Sequence, residues 1–208
     1  MSNAERGKAV WGGRATMGAL LVMALVAAML LAGCSQVRQS QSSSYLILTS
    51  LEGAPGLTGT FGNTLASDVL NVDATTGKQS IAEDRGQATF QLAMKDVNGL
   101  GPTDNNSITI TQYHVEYIRS DGRNTQGVDV PYAFDGAVTA TVSNSATVGF
   151  ILVRIQAKME PPLTSLAFNG GAQAIQTIAR VTFYGHDQTG RQVSVSGNIS
   201  VNFSDWAG

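Results

Sequence analysis

The chain has 208 residues, with 13 Lys and Arg against 15 Asp and Glu and a formal net charge of −2. No excess of positive charge is available to hold a polyanion, so the composition argues against nucleic-acid binding. The length suits one domain with a full core, and a lone cysteine excludes an internal disulfide, which leaves stability to packing.

The chain opens with Arg6, Lys8 and Arg14 against a single acid, Glu5. Met17 to Leu31 then runs without a charge or a proline. A basic head followed by an apolar run is the plan of a secretory signal. The head stays on the cytoplasmic side while the run enters the bilayer as a helix. At its exit stand Leu31, Ala32, Gly33 and Cys34. This ending resembles the lipobox of bacterial lipoproteins. The resemblance implies a diacylglyceryl thioether on Cys34, cleavage between Gly33 and Cys34, and acylation of the new amino terminus. It also implies a domain held to the membrane by lipid on the extracytoplasmic side. Residue 35 is Ser rather than Asp, which by resemblance to the sorting pattern of Gram-negative lipoproteins implies the outer membrane, if the organism has one. The alternative is an uncleaved transmembrane helix, since Met17 to Gly33 reaches the lower length limit for spanning. That alternative keeps the same topology.

The reading divides the chain into a signal peptide at residues 1–33, a tether at 34–44 and a domain at 45–208. Without residues 1–33 the balance is 10 basic to 14 acidic residues, about −4. Ser35 to Ser44 is Ser/Gln-rich and has little to bury. Such a tether holds its cargo roughly 15–20 Å from the anchor.

Tyr45 to Leu51 reads as the first strand, and Glu52 to Asn63, rich in Gly and Pro, as a loop. Thr64 to Val72 is expected to form a short strand and Asp73 to Lys78 a turn. From Gln87 to Lys95, Phe90, Leu92 and Met94 alternate with polar neighbours, the period of a half-buried strand. Ser107 to Arg119 changes phase midway. Ile108 and Ile110 share one parity, and Tyr113, Val115 and Tyr117 the other, so a bulge at Thr111-Gln112 is expected.

Asp121-Gly122 marks a turn, and Val128 to Phe134 is expected to form an edge strand carrying Pro131. Asp135-Gly136 is expected to turn into a strand at Ala137 to Ser143. Ala146 to Met159 is apolar on both parities, which predicts a central strand covered on both faces. Pro161-Pro162 ends it, and Leu163 to Phe168 is expected to make one helical turn between sheets. Ala174 to His186 and Gln192 to Phe203 form a hairpin about Gln188 to Arg191, the second strand with Val193, Val195, Ile199, Val201 and Phe203 in strict phase. Eight or nine strands with no helix after the signal predict an all-β fold. The expected form is a single antiparallel β-sandwich, Ig-like or fibronectin-III-like in general build.

Chemistry is sparse. His114 and Glu116 lie on one face of one strand, but a zinc site usually needs three or four ligands. A cross-strand polar pair accounts for them. His186-Asp187 stands where a turn is capped. Asp104-Asn105-Asn106 and the set Asp121, Asp129 and Asp135 offer oxygen ligands of the kind calcium takes, without the spacing of a known calcium loop. Tyr132 and Phe134 are candidate binding residues, as an aromatic platform at a strand edge, or else two core residues. No catalytic residue, cofactor or metal is expected. The function expected is a non-catalytic, lipid-anchored envelope module for interaction or structure, attached through Cys34 and meeting an envelope protein or glycan. The competing class is a ligand-binding module for glycan or calcium, which the exposure of Tyr132, Phe134, Tyr184 and Trp206 would reveal.

Overall fold

The computed structural model describes residues 42–56, 59–73, 75–96, 101, 103–168 and 173–206. Residues 1–41, with the expected signal segment, Gly33, Cys34 and most of the expected tether, lie outside the described residues.

The fold is all-β. Strands β1 (Ser44–Ala54), β5 (Asp84–Met94) and β8 (Ser145–Val153) form a three-stranded antiparallel sheet in the order β1-β5-β8. Five more strands form a second sheet: β2 (Thr64–Asp68), β6 (Ile108–Ile118), β7 (Phe134–Val142), β9 (Ala174–Asp187) and β10 (Gln192–Ser204). Their order is β2-β10-β9-β6-β7. Two short strands, β3 (Asn71–Val72) and β4 (Gln79–Ser80), pair as a hairpin. The chain passes between the two sheets repeatedly, from β1 to β2, β2 to β5, β5 to β6, β7 to β8 and β8 to β9.

The period-2 patterns decide which residues meet between the sheets. From the first sheet come Phe90, Phe150 and Leu152, and from the second Tyr113, Val115, Phe183, Val201 and Phe203, all buried. Phe183 meets Phe90 edge-on at 4.9 Å between ring centroids, and Phe150 at 5.3 Å. Edge-to-face contacts of this kind add to the burial of the rings. Two tyrosines tie their hydroxyls to β8: Tyr117 Oη donates to the carbonyl of Leu152 at 2.7 Å, and Ile151 N–H donates to Tyr113 Oη at 3.2 Å. Burial pushes the Tyr117 hydroxyl far above its ordinary pKa, with Asp84 adding to the shift, so it stays a donor.

The bulge in β6 lies where the change of phase demands it. The register of β6 against both β7 and β9 shifts between Ile110 and Gln112. Ile108, Ile110, Tyr113, Val115 and Tyr117 are thereby all buried. The β9–β10 hairpin is also as expected. It closes at Asp187, whose Oδ1 accepts from Thr189 N–H at 2.9 Å, Thr189 Oγ1 at 2.7 Å and Arg191 N–H at 3.0 Å, with Gly190 at φ +80°. Burial opposes ionisation of Asp187, but these donors outweigh it and its pKa lies below the ordinary value.

Four expectations are corrected. The strand pairing is mixed rather than purely antiparallel, because β2 runs parallel to β10, Leu65 beside Val201. Residues 128–133 are a loop, not a strand, held by Asp129 N–H to Thr125 O at 2.8 Å and Gly127 N–H to Val130 O at 2.8 Å. Pro131 has no N–H to enter a ladder, and β7 starts only at Phe134. Asp135-Gly136 lies inside β7 instead of turning before it. Glycine is required there because a Cβ on Gly136 would overlap the Tyr113 ring.

The fourth correction concerns Ala146 to Met159. The strand ends at Val153 and is an edge of the smaller sheet, not a central strand. Ile155–Met159 forms a short helix, α1, with Ala157 and Lys158 buried. A two-faced apolar run is what a strand joined to a helix also produces, because the period changes partway. Pro161-Pro162, joined by a cis peptide bond, then ends α1, and the expected helical turn follows at Leu163–Leu166.

Candidate functional site

The two aromatic candidates part company. Phe134 is 7% exposed and packs edge-on against Tyr113, with the Arg154 guanidinium 4.4 Å from its ring centroid. Tyr132 is 50% exposed, its ring seated over Gly127. They make no shared platform. The reason is the loop at 128–133, which breaks the alternation that would have put both on one face.

The polar candidates are each engaged separately. His114 Nδ1 lies 2.8 Å from Asp135 Oδ1 across the β6–β7 pair, and Arg180 Nη1 donates to Glu116 Oε1 at 2.9 Å across β6–β9. Asp121 is gripped by Arg119 and Arg123, and the Arg119 guanidinium foremost holds its carboxyl well below the usual range. Asp129 Oδ2 accepts from Thr125 N–H at 3.2 Å. Asp104–Asn106 forms a 3-10 turn in which Asn106 Oδ1 accepts from Thr103 Oγ1 at 2.8 Å. Among the described residues, no three His, Cys, Asp or Glu side chains converge as a metal site.

Among the described residues, a concavity lies elsewhere, where β1 and β2 finish and the chain leaves β10. It encloses about 700 Å³ between Pro55, Gly56, Asp68, Asn71, Asp73, Ser80 and Trp206. Its parts are held by backbone donors. Asp68 Oδ1 accepts from Trp206 N–H at 3.2 Å and from Leu70 N–H at 3.4 Å, which ties the segment after β10 to the end of β2. Burial raises the Asp68 pKa above the ordinary value, against the lowering pull of those two N–H groups. Asp73 forms a turn with Thr76, whose N–H bonds its Oδ1 at 2.7 Å and holds its pKa down. Trp206 is 41% exposed, so its indole stands over the hollow with one part still wet.

Behind this wall lies a feature that strand periodicity did not reveal. Lys158 of α1 and Asp84 of β5 are buried together, at 1% and 0% exposure. Lys158 Nζ is 3.0 Å from Asp84 Oδ1 and 3.0 Å from Oδ2. Gly56, which lines the hollow, donates its N–H to Oδ1 at 2.8 Å, and Ser67 Oγ donates to Oδ2 at 2.6 Å. A lysine flanked by Ile155, Ala157 and Met159 was the available signal, since a charge in an apolar stretch must find a partner.

Tyr184 is 38% exposed on the outer face of β9, remote in sequence from Tyr132 and Trp206, and the three do not share a strand. No protein-family model matches the chain, and no curated protein matches it.

Proposed function

We propose that this chain is a lipid-anchored, non-catalytic module of the bacterial cell envelope, acting in interaction or structure. The observation that carries the reading is the junction of sequence and fold. The lipobox-like Leu31-Ala32-Gly33-Cys34 is followed by a short polar tether, and β1 begins at Ser44. The finer architecture, an Ig-like or fibronectin-III-like sandwich, is supported by two facing sheets with strands exchanged between them. Extracytoplasmic placement, at the outer membrane where there is one, rests on Cys34 and Ser35. Stable anchoring takes two or more acyl chains. Cys34→Ala should therefore move the protein from the membrane fraction to the soluble one, or leave an unprocessed precursor. Unchanged fractionation together with unchanged mass would refute the anchor.

A second reading has its own observation. The hollow joins an exposed indole to Asp68, Asn71, Asp73 and Ser80. An apolar ring face beside several hydrogen-bonding groups suits a sugar, whose C–H face stacks while its hydroxyls are bound. Asp121, Asp135 and Glu116 are each engaged by a separate basic side chain, so a glycan fits this reading better than calcium. The hollow adjoins Ala54, at the far end of β1 from the tether, an eleven-residue strand of about 35 Å. Trp206 is the sole tryptophan left once residues 1–33 are removed. Its fluorescence should change saturably with β-1,4-linked N-acetylglucosamine oligomers, and the binding should be lost in Asp68→Ala. A flat titration removes this reading and leaves the first standing.

A further inference from the structure

Lys158 and Asp84 are 74 residues apart in the chain and join α1 to the start of β5 in a place that water does not reach. The ammonium nitrogen touches both carboxylate oxygens at 3.0 Å. We propose that these two side chains condense into an intramolecular isopeptide bond, Lys158 Nζ to Asp84 Cγ, so that the domain carries a covalent cross-link without a disulfide.

The reaction balances within the pair. One proton passes from Nζ to the carboxylate, which leaves an amine with a free lone pair and a carboxylic acid. The amine attacks Asp84 Cγ, a second Nζ proton moves to the leaving oxygen, and one Cγ–O bond breaks. Nζ keeps one hydrogen as an amide N–H, and the oxygen departs as water with the other two. The opposite charges cancel, and no oxidant or other reactant is needed.

Three features of the site favour it. Two charges held out of water carry a large desolvation cost, which the neutral amine and acid escape and the amide abolishes. The fold holds Lys158 Nζ 3.0 Å from both oxygens of the Asp84 carboxyl group, which replaces an encounter with a positioned, effectively unimolecular step. The donors lie where charge would develop on attack. Gly56 N–H holds Oδ1 at 2.8 Å, and the Ser67 hydroxyl, 2.6 Å from Oδ2, steadies that oxygen and is placed to relay a proton. Lys158 thus acts as the nucleophile and Ser67 as the positioning group. The single cysteine is the one read as lipidated, so this bond would be the domain's own covalent tie.

The test is mass spectrometry of the purified full-length protein, unfolded and digested with trypsin. Linkage predicts one branched product joining residues 79–85 to 155–180, lighter than the two peptides together by one water, with no cleavage after Lys158. Lys158→Arg should abolish the product, and Ser67→Ala should lower its fraction several-fold under matched incubation. Recovery of 79–85 as a free peptide, with complete cleavage after Lys158 in the native protein, overturns the proposal and leaves an ion pair. That outcome is read on the wild-type chain, so it does not depend on any variant folding.

Discussion

Lys158→Met is expected to destabilise the domain by about 3–5 kcal/mol, the usual cost of leaving one buried charge without its partner, because the variant strands Asp84 and can form neither the ion pair nor the isopeptide bond. The methionine fills the space, but Asp84, 0% exposed in the native fold, is left without Lys158. Gly56 N–H and Ser67 Oγ still reach the carboxylate and soften the loss. Against a typical total of ~5–15 kcal/mol this is a large fraction. The double variant Asp84→Leu with Lys158→Met should be less harmful than the single one, because no lone charge is left buried. Its recovery should be partial, since Gly56 N–H and Ser67 Oγ then lose their acceptor. Urea denaturation of the three proteins would show the order. If Lys158→Met matched the wild-type midpoint, the pair would contribute little to the fold.

Val201→Asp should leave no folded protein, while Ser200→Asp should be mild. Val201 is fully buried, with β9 on one side and β2 on the other, beside Thr177 and Leu65. An interior position between two paired strands offers a carboxylate no route to water. Loss of the valine forfeits roughly 1.5–3 kcal/mol of burial, and an unpaired buried charge adds several more. Together these rival the whole stability of a domain. Ser200, one residue away, points to the opposite face and is half-buried. A change there should stay within about 1 kcal/mol. Far-UV circular dichroism and solubility on expression distinguish the two. The reverse ranking would mean that the inward and outward faces of β10 have been interchanged.

The reading of β10 holds because alternation is a local property: each residue's side follows from its parity. The same logic located the β6 bulge, where only an extra residue lets both parities reach the core. The Asp187 turn was legible for a related reason, since Asp, Thr and Gly within five residues supply the acceptor, the donors and the positive φ. Alternation also has a limit. It says that a residue is buried, not against what.

Three features therefore had to come from tertiary structure. Strand β2 carries the same pattern whether it pairs parallel or antiparallel, and its place beside β10 was settled by the route of the chain between the sheets. The run from Ala146 to Met159 is apolar on every side, which suits a central strand as well as an edge strand followed by α1. In the structure the run divides at Val153, and its helical part carries Lys158 onto Asp84. The candidate aromatics show the converse, for Tyr132 and Phe134 share a parity that has meaning only inside a strand, and the loop at 128–133 removes it. What the sequence determined by itself was the succession of most strands and turns and the inward face of most strands. What the tertiary structure alone decided was partnership: β2 with β10, Trp206 with Asp68, and Lys158 with Asp84. Partnership joins residues far apart in the chain, and no local periodicity encodes the closure of so long a loop.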